Sequence, residues 1–180
     1  MRFFLRVIAG TARRTPLVAP AGLNTRPTAD RAKENLFNIL GLRVKNASVL
    51  DVFCGSGAIG IEALSRGAKN SVFVDNAPLA IRAVNANLVK TKLPNALVLE
   101  LEAEQAIKRF RAEERRFDLI FLDPPYSSPQ VSQTIRELFS ILAKNGAIIA
   151  ETQNDFAHDE EFLVDVRVYG RAKFLFYENE

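Results

Sequence analysis

Two short segments of the sequence carry residue types that could do chemistry, and each follows an apolar run. In the first segment, residues 51–60, Gly55, Gly57 and Gly60 fit the pattern G-x-G-x-x-G, whose glycines let the backbone approach a nucleotide between a strand and a helix. Asp75 ends the next apolar run, where a carboxylate can accept hydrogen bonds from both hydroxyls of a ribose. The pattern predicts a nucleoside-cofactor site with contacts from Gly55, Ser56, Gly57, Asp75 and Asn76.

The charge of the first segment indicates which cofactor the site favours. Asp51 stands four residues before Gly55, and a carboxylate there would repel a pyrophosphate but attract an ammonium or a sulfonium group. S-adenosylmethionine carries both of these cations and no phosphate. Glu102 follows the third apolar run and is a candidate acceptor for the adenine amino group. The segment therefore favours this methyl donor over NAD or FAD.

The second segment, Asp123-Pro124-Pro125-Tyr126, follows the apolar run 117–122. Consecutive prolines hold the backbone in extended shapes, so the Asp123 carboxylate and the Pro124 carbonyl form a rigid pair of acceptors beside the aromatic plane of Tyr126. Such an arrangement suits a planar base with an exocyclic amino group. Asp123, Pro124 and Tyr126 are therefore the catalytic candidates. They would position the amino nitrogen of adenine, cytosine or guanine for methyl transfer.

The elements that must position these segments follow a regular alternation from residue 48 onward. Short runs that are apolar throughout alternate with helical patterns, which is typical of a parallel sheet covered by helices on both faces. Two further strand-like runs joined at Gly170–Arg171 predict a closing antiparallel hairpin. The fold class is therefore α/β, with a Rossmann-like, mostly parallel, doubly wound sheet. The predicted strands are 49–53, 71–74, 96–101, 118–122, 147–150, 163–169 and 173–178, and the predicted helices are 58–66, 78–91, 103–114 and 129–143.

Charge is distributed unevenly along the chain, whose formal net charge is +3. Residues 1–45 contain nine basic and two acidic side chains, whereas residues 46–180 have a small excess of acids. A basic extension on a mildly acidic body is typical of proteins that bind polyanions. We expect an extended arm or short hairpin over 1–26, followed by a helix from Thr28 to Gly41. The candidates for contact with RNA phosphates are Arg13, Arg14, Arg26, Arg31 and Lys33.

Composition excludes several other classes of protein. One cysteine and one histidine among 180 residues exclude a disulfide framework and a zinc cluster made by this chain alone. The longest apolar runs have about five residues, far fewer than the roughly 20 that span a bilayer. The N-terminus lacks the apolar core of a signal peptide. Cys54 has no histidine or second cysteine to activate it and is expected to be a small packed residue.

These residues together resemble a known family, the bacterial 16S rRNA guanine-N2 methyltransferases of the RsmD type. The resemblance is carried by residues 51–60, by Glu62–Ala68, by Asp123–Tyr126 and by an opening that reads Arg6–Gly10 and then Arg26–Arg31 with Glu34 and Phe37. It covers about residues 6–178. The glycine loop and Asp-Pro-Pro-Tyr occur in many amino-methyltransferases, whereas the opening is particular to this group.

The resemblance implies a class I methyltransferase that transfers a methyl group from S-adenosylmethionine, without a metal, to N2 of one guanine in 16S rRNA. It implies a cytoplasmic, monomeric enzyme with no membrane association, which acts on rRNA in a small-subunit assembly intermediate. Residues 1–45 would be the RNA-binding extension and 46–180 the methyltransferase domain. This chain departs from the family pattern at Arg13–Leu17, at Glu102, where Asp or Asn is usual, and in five extra residues before Arg6.

Three alternatives share part of this pattern. A DNA adenine-N6 methyltransferase has both motifs but usually a separate region that reads the duplex, for which this chain has no spare residues. A non-catalytic RNA-binding protein would not need Gly55, Gly57, Asp75 and Asp123 together. A dinucleotide oxidoreductase is disfavoured by Asp51 and by Asp123–Tyr126.

Guanine is favoured over adenine because its N1–H and N2–H are adjacent donors, whereas the adenine N1 is an acceptor that would face the Asp123 carboxylate.

Overall fold

The computed structural model describes residues 5–20, 27–124, 129–152, 162–170 and 172–178, and it contains one seven-stranded sheet. The strand order is β3-β2-β1-β4-β5-β7-β6; the first five strands are parallel, and β7 is antiparallel to both β5 and β6. The strands are β1 Ser48–Val52, β2 Asn70–Asp75, β3 Ala96–Glu100, β4 Phe117–Leu122, β5 Leu142–Thr152, β6 Leu163–Tyr169 and β7 Ala172–Glu178. The helices are α1 Pro27–Leu40, α2 Ala58–Ser65, α3 Pro78–Thr91, α4 Ala103–Ala112 and α5 Pro129–Leu138.

Both faces of the central strands are buried, which explains why their sequences are apolar throughout. One face packs against α4 and α5 around Ile107, Phe110 and Ile135. The other face packs against α1, α2, α3 and the N-terminal segment around Phe37, Ile61 and Val84. We call this second face the arm face. Among the described residues, no helix has the length and apolar character needed to cross a bilayer.

The predicted alternation of strands and helices is confirmed. The main difference concerns the last predicted helix. The predicted helix 129–143 ends as an α-helix at Leu138, continues as a short 3₁₀ turn over Phe139–Ile141, and gives way to β5 at Leu142. Apolar residues at 138, 141 and 142 continue a helical spacing, but each is buried in the core below the sheet. Tertiary packing of the early part of β5, where Leu142 pairs with Phe117, therefore overrides the local pattern.

Residues 5–17 form the short hairpin that was expected for the arm. Arg6 and Pro16 make an antiparallel bridge, and the Val7 amide donates to the Thr15 carbonyl over 3.0 Å. The hairpin is fixed on α2 rather than extended into solvent, since its turn meets the end of that helix. A Cβ at Gly10, where φ is +82°, would lie 1.7 Å from the Ser65 carbonyl oxygen. Only glycine therefore permits this close docking.

Glu62, which is fully buried in α2, is the acid that fastens the hairpin to the domain. Its carboxylate accepts hydrogen bonds from the backbone amides of Ile8 (2.8 Å) and Ala9 (3.0 Å) and from Arg66 Nε (2.7 Å). The Lys33 ammonium lies 3.6 Å from the same carboxylate. Buried charge is tolerated only where partners surround it. One side chain therefore links the hairpin, α1 and α2.

Replacement of Glu62 by alanine is expected to lower the free energy of unfolding by about 3–5 kcal/mol, because it leaves the buried Lys33 ammonium and two backbone amides without their acceptor. The matched control is Glu113→Ala, which removes an i,i+4 partner of Arg109 at 2.8 Å on the surface of α4 and should cost only about 0.3–0.5 kcal/mol. Urea unfolding followed by circular dichroism measures both variants. Equal losses in the two would contradict the anchoring role of Glu62.

Candidate active site

The two sequence motifs meet at the centre of the sheet. β1 lies between β2 and β4, so the loops that leave the carboxyl ends of β1 and β4 are neighbours, which is where open α/β sheets bind ligands. The Asp123 amide donates a long hydrogen bond of 3.5 Å to the Val52 carbonyl. The start of the second motif is therefore held against the strand that leads into the glycine loop.

Two glycines of the loop, Gly55 and Gly60, have different structural roles. Gly55 has a φ of +53°, its amide donates to Asp75 Oδ2 over 2.9 Å, and a Cβ there would meet no atom within 4 Å. Gly60 instead packs α2 against β2, since a Cβ on it would lie 2.4 Å from the Phe73 ring. The open space above Gly55 is thus available for a ligand, whereas Gly60 serves the close packing of helix on strand.

Asp51 is buried beneath the loop, at 4% exposure. Its Oδ2 accepts a hydrogen bond of 2.9 Å from the Gly60 amide. The pKa of this carboxyl is raised to about 8, mainly by burial and in smaller part by the neighbouring Asp123 and Asp75, while the Gly60 hydrogen bond opposes the shift. A carboxyl that is costly to ionise in this way is suited to a cationic ligand, which would restore its charge.

The contacts predicted for the nucleoside occupy one rim of the loop. Asp75 Oδ1 accepts from the Ala77 amide over 2.9 Å, which fixes the carboxylate at the end of β2. Asn76 Nδ2 donates to Glu102 Oε1 over 2.9 Å, and Glu102 caps α4. The Ser56 carbonyl accepts from the Asn87 side chain. Asp75, Asn76 and Glu102 are thus brought together, while their contacts with a cofactor remain predictions.

Cys54 packs in the loop as a small apolar residue. Its side chain is buried, and burial raises the pKa of the thiol, with Asp51 and Asp75 adding to the shift. A thiol in these surroundings stays protonated and is a poor nucleophile.

The described part of the second motif ends at Pro124. Asp123 stands at the rim, reaching solvent, and the surrounding protein raises the pKa of its carboxyl to about 6. Pro125 and Tyr126 lie outside the described residues, so the stacking role of Tyr126 stays a prediction.

Glu151, near the end of β5, is a further carboxylate that the sequence analysis missed. It is half-buried, and burial together with the nearby Asp123 raises the pKa of its carboxyl to about 7. The available signal was an acid placed immediately after the apolar run 147–150, at the same edge of the sheet as the two motifs. The described residues contain no group of three or more histidine, cysteine or acidic side chains that could hold a metal ion.

Four carboxylates therefore lie near one edge of the sheet: the register sets Asp75, Asp123 and Glu151 at the same level, and Asp51 lies two residues behind them, opposite Phe73 and Phe121. Side chains alternate between the faces of a strand, and Val49, Phe73, Phe121 and Ile149 all belong to the arm face. The acids that follow each of them by two residues share that face: Asp51, Asp75, Asp123 and Glu151. The strand order places them in the sequence Asp75, Asp51, Asp123, Glu151 across β2, β1, β4 and β5.

The basic arm residues border a second cavity. A space of about 450 Å³ between the hairpin and α1 is lined by Arg6, Arg13, Arg14 and Arg31 together with Asp30 and Glu34. The Arg6 guanidinium donates to Asp30 over 3.3 Å. Sequence reasoning identified three of the four arginines and missed Arg6, while Arg26 lies outside the described residues.

Lys33 is a correction to the predicted set of phosphate contacts. Its side chain is 4% exposed, and its ammonium donates to the Arg6 carbonyl over 2.6 Å and faces Glu62. Burial lowers the pKa of this amine, although Glu62 and Asp30 oppose the shift. The helical phase of α1 directs the Lys33 side chain into the domain. Lys33 therefore links the hairpin to α2 and cannot reach a phosphate at the surface.

Known proteins resemble this chain over almost its whole length. The family model described as "conserved hypothetical protein 95" matches residues 5–178. YlbH of Bacillus subtilis, named as a candidate rRNA methyltransferase, is 40% identical over 160 residues, which are 87% of this chain and 84% of YlbH. The Haemophilus influenzae protein named ribosomal RNA small subunit methyltransferase D is 33% identical over 184 residues, with 97% of this chain and 94% of that protein covered.

A solved structure supports the same fold. The Thermus thermophilus 16S rRNA N2 methyltransferase RsmC, in complex with AdoMet and guanosine, matches 99% of this chain and 50% of its own with a TM-score of 0.77 and 21% identity. The predicted class I methyltransferase fold, a mostly parallel doubly wound sheet with an antiparallel C-terminal hairpin, is thereby confirmed. With the family model spanning residues 5–178 and relatives of this identity and coverage, the chain belongs to the family of ribosomal RNA small subunit methyltransferase D.

Proposed function

We propose that this protein transfers a methyl group from S-adenosylmethionine to the exocyclic N2 of a guanine in 16S rRNA, as a cytoplasmic monomer that modifies small-subunit assembly intermediates. Residues 46–180 carry out the transfer, and residues 1–45 form an RNA-binding extension. The observation that carries this proposal is the buried Asp51, with the carboxylates of Asp75 and Asp123 near it, beside an open glycine loop, because this set is matched to a cationic, phosphate-free nucleoside.

The chain's own residues fit this cofactor. Asp51 lies buried beside the loop, and the charged groups that act on it are the acids Asp123 and Asp75, so a pyrophosphate would be repelled and a sulfonium or ammonium attracted. Asp75 would accept from the ribose, and Glu102 with Asn76 would border the adenine. When bound, S-adenosylmethionine supplies an electrophilic methyl group.

Positioning of the base is the principal work of the second motif. The Asp123 carboxylate would accept from N1–H and N2–H of guanine, while the Pro124 carbonyl would accept the second hydrogen of the amino group. These bonds weaken conjugation of the N2 lone pair with the ring and aim it at the methyl carbon. A preorganised pair of acceptors next to a bound methyl donor is sufficient for in-line displacement.

The arginine-lined cavity supplies the contacts that an RNA backbone requires. Arg13, Arg14 and Arg31 are exposed along it, and they are placed on a hairpin and helix that the buried Glu62 fixes rigidly to the catalytic domain. Guanidinium groups bind phosphates through paired hydrogen bonds. The alternative is that these arginines bind duplex DNA and that the enzyme methylates N6 of adenine. The methylation assay below distinguishes this alternative from methylation of rRNA.

Binding of S-adenosylmethionine is expected to strengthen about tenfold per pH unit between pH 5.5 and 7, because the cation binds the ionised form of Asp51, whose pKa is about 8 without ligand. Asp51→Asn should bind more weakly and lose this dependence. Isothermal titration calorimetry across this range measures both effects. Glu113→Gln, exposed at the end of α4 on the other side of the sheet, is the matched control and should behave as wild type.

The same substitution has an opposite effect on stability. A carboxyl whose pKa is higher in the fold than in the unfolded chain stabilises the fold fully below about pH 4, and this contribution is lost as pH rises toward 8. Ligand-free Asp51→Asn should therefore unfold at a higher urea concentration than wild type at pH 8. A variant that is less stable and also fails to bind would show that Asp51 is needed for folding instead.

Purified protein with radiolabelled S-adenosylmethionine should methylate 16S rRNA or small-subunit particles, and mass spectrometry of the digested RNA should find N2-methylguanosine. Asp123→Ala should lower the rate at least about a hundredfold, since it removes the acceptor that orients the base, while S-adenosylmethionine still binds because Asp51 and Asp75 remain. Methylation of duplex DNA at adenine, with rRNA unmodified, would overturn the proposed substrate.

RNA affinity should depend on the arginine-lined cavity through counterion release. Arg13→Ala with Arg14→Ala should weaken binding and reduce the slope of log K against log salt by about 1.4, since each contact to single-stranded RNA contributes about 0.7. Filter binding at several salt concentrations provides the measurement. Arg109→Ala on α4, outside the arm face, is the control. An unchanged slope in the double variant would remove these arginines from the RNA contact.

A further inference from the structure

Glu151 is given no part in the function proposed above, yet the register of the sheet places it beside Asp123. In the parallel ladder between β4 and β5, Leu122 is paired with Ala150. Asp123 directly follows the end of β4 and Glu151 is the next residue of β5, and each comes two positions after an arm-face residue, Phe121 and Ile149. Adjacent residues of paired strands on one face are close enough for their side chains to interact.

The protonation of the two carboxyl groups is linked. Burial raises the pKa of Glu151, and the charge of Asp123 adds to this shift, while partial desolvation by the surrounding protein raises the pKa of Asp123 at the rim. Two neighbouring carboxylates resist being charged together, so they titrate as a pair near neutral pH. Such a pair can take up one proton more readily than an isolated exposed carboxylate.

Among the described residues, Asp51 on β1 is a further carboxyl that interacts with Asp123, and it also accepts the Gly60 amide. On β7, the residue opposite Glu151 is Phe174, which is uncharged. The acids and bases of α1 bind the hairpin and α2 or line the arginine cavity: Asp30, Arg31, Lys33 and Glu34.

We propose that Glu151 is a positioning residue for methyl transfer, which holds Asp123 as a proton acceptor so that the two carboxyl groups together take up the proton released by the methylated nitrogen. This inference rests on the proposed function and assigns it a residue that neither motif contains.

The proposed methyl transfer accounts for every bond, electron pair and proton. The bond between sulfur and the methyl carbon breaks, and sulfur retains the electron pair as a neutral thioether. The lone pair of the base nitrogen forms the new bond to carbon, which leaves that nitrogen positively charged. One of its protons then passes to Asp123, and the neighbouring Glu151 carboxylate stabilises the protonated state through the shared proton.

Single-turnover methyl transfer, measured against pH with saturating S-adenosylmethionine and RNA, tests the pairing. In wild type, the logarithm of the rate should fall toward low pH with a slope of two, because both carboxyl groups become protonated. In Glu151→Gln the slope should be one, and the fall should move to lower pH by about one unit, because Asp123 loses its charged neighbour. The affinity for S-adenosylmethionine should remain that of wild type. Glu151→Asp should restore the two-proton slope, and Glu113→Gln on α4 should match wild type throughout.

Carboxyl ¹³C NMR titration of the ligand-free protein gives a readout that is independent of activity. Glu151→Gln should simplify the titration of Asp123 to a single step at lower pH. Superimposable pH–rate profiles and unchanged Asp123 titration in this variant would overturn the inference, even when wild type methylates rRNA. Failure of wild type to modify any RNA would instead reject the proposed function, while the NMR titration would still decide whether the pair exists.

Discussion

The parallel pairing of β1 with β4 is the contact on which the whole site depends. The chain makes β2, β3 and their helices before it returns to the far side of β1, so the carboxyl ends of β1 and β4 are adjacent although about 70 residues separate them. Because both strands are buried on both faces, their register is fixed by the core. Asp123 is therefore set beside the glycine loop by packing that does not involve the site itself.

Two carboxylates, Glu62 and Asp51, are buried in this fold, and their surroundings differ. Glu62 and Lys33 are satisfied by each other and by backbone groups, so they bind the hairpin to the domain. Asp51 is also buried but accepts a single amide hydrogen bond, and its other charged neighbours are acids. The first arrangement is complete without a ligand. The second has no positive partner among the described residues, which is the reason Asp51 is proposed to bind a cationic ligand and Glu62 is not.

The N-terminal arm and the edge of the sheet that carries the acids share one face of the sheet. α1, α2, α3 and the hairpin cover the face that carries Asp51, Asp75, Asp123 and Glu151. The close fit of Gly10 against the end of α2 fixes the hairpin on this face. Under the proposed function, a polyanion bound by the exposed arginines would therefore lie on the side of the sheet where the base is oriented.

The sequence by itself determined the order of elements, the glycine loop, the position of the Asp-Pro-Pro-Tyr motif after β4 and the basic N-terminal segment, because each depends on local periodicity or on residues adjacent in the chain. It also carried the resemblance to the family, which the comparisons confirm. Only the tertiary structure decided that Lys33 is buried against Glu62, that Arg6 lines the same cavity as Arg13, and that Glu151 stands beside Asp123. These relations join residues that are far apart in the chain, and they depend on helix phase and strand register, which no local pattern contains.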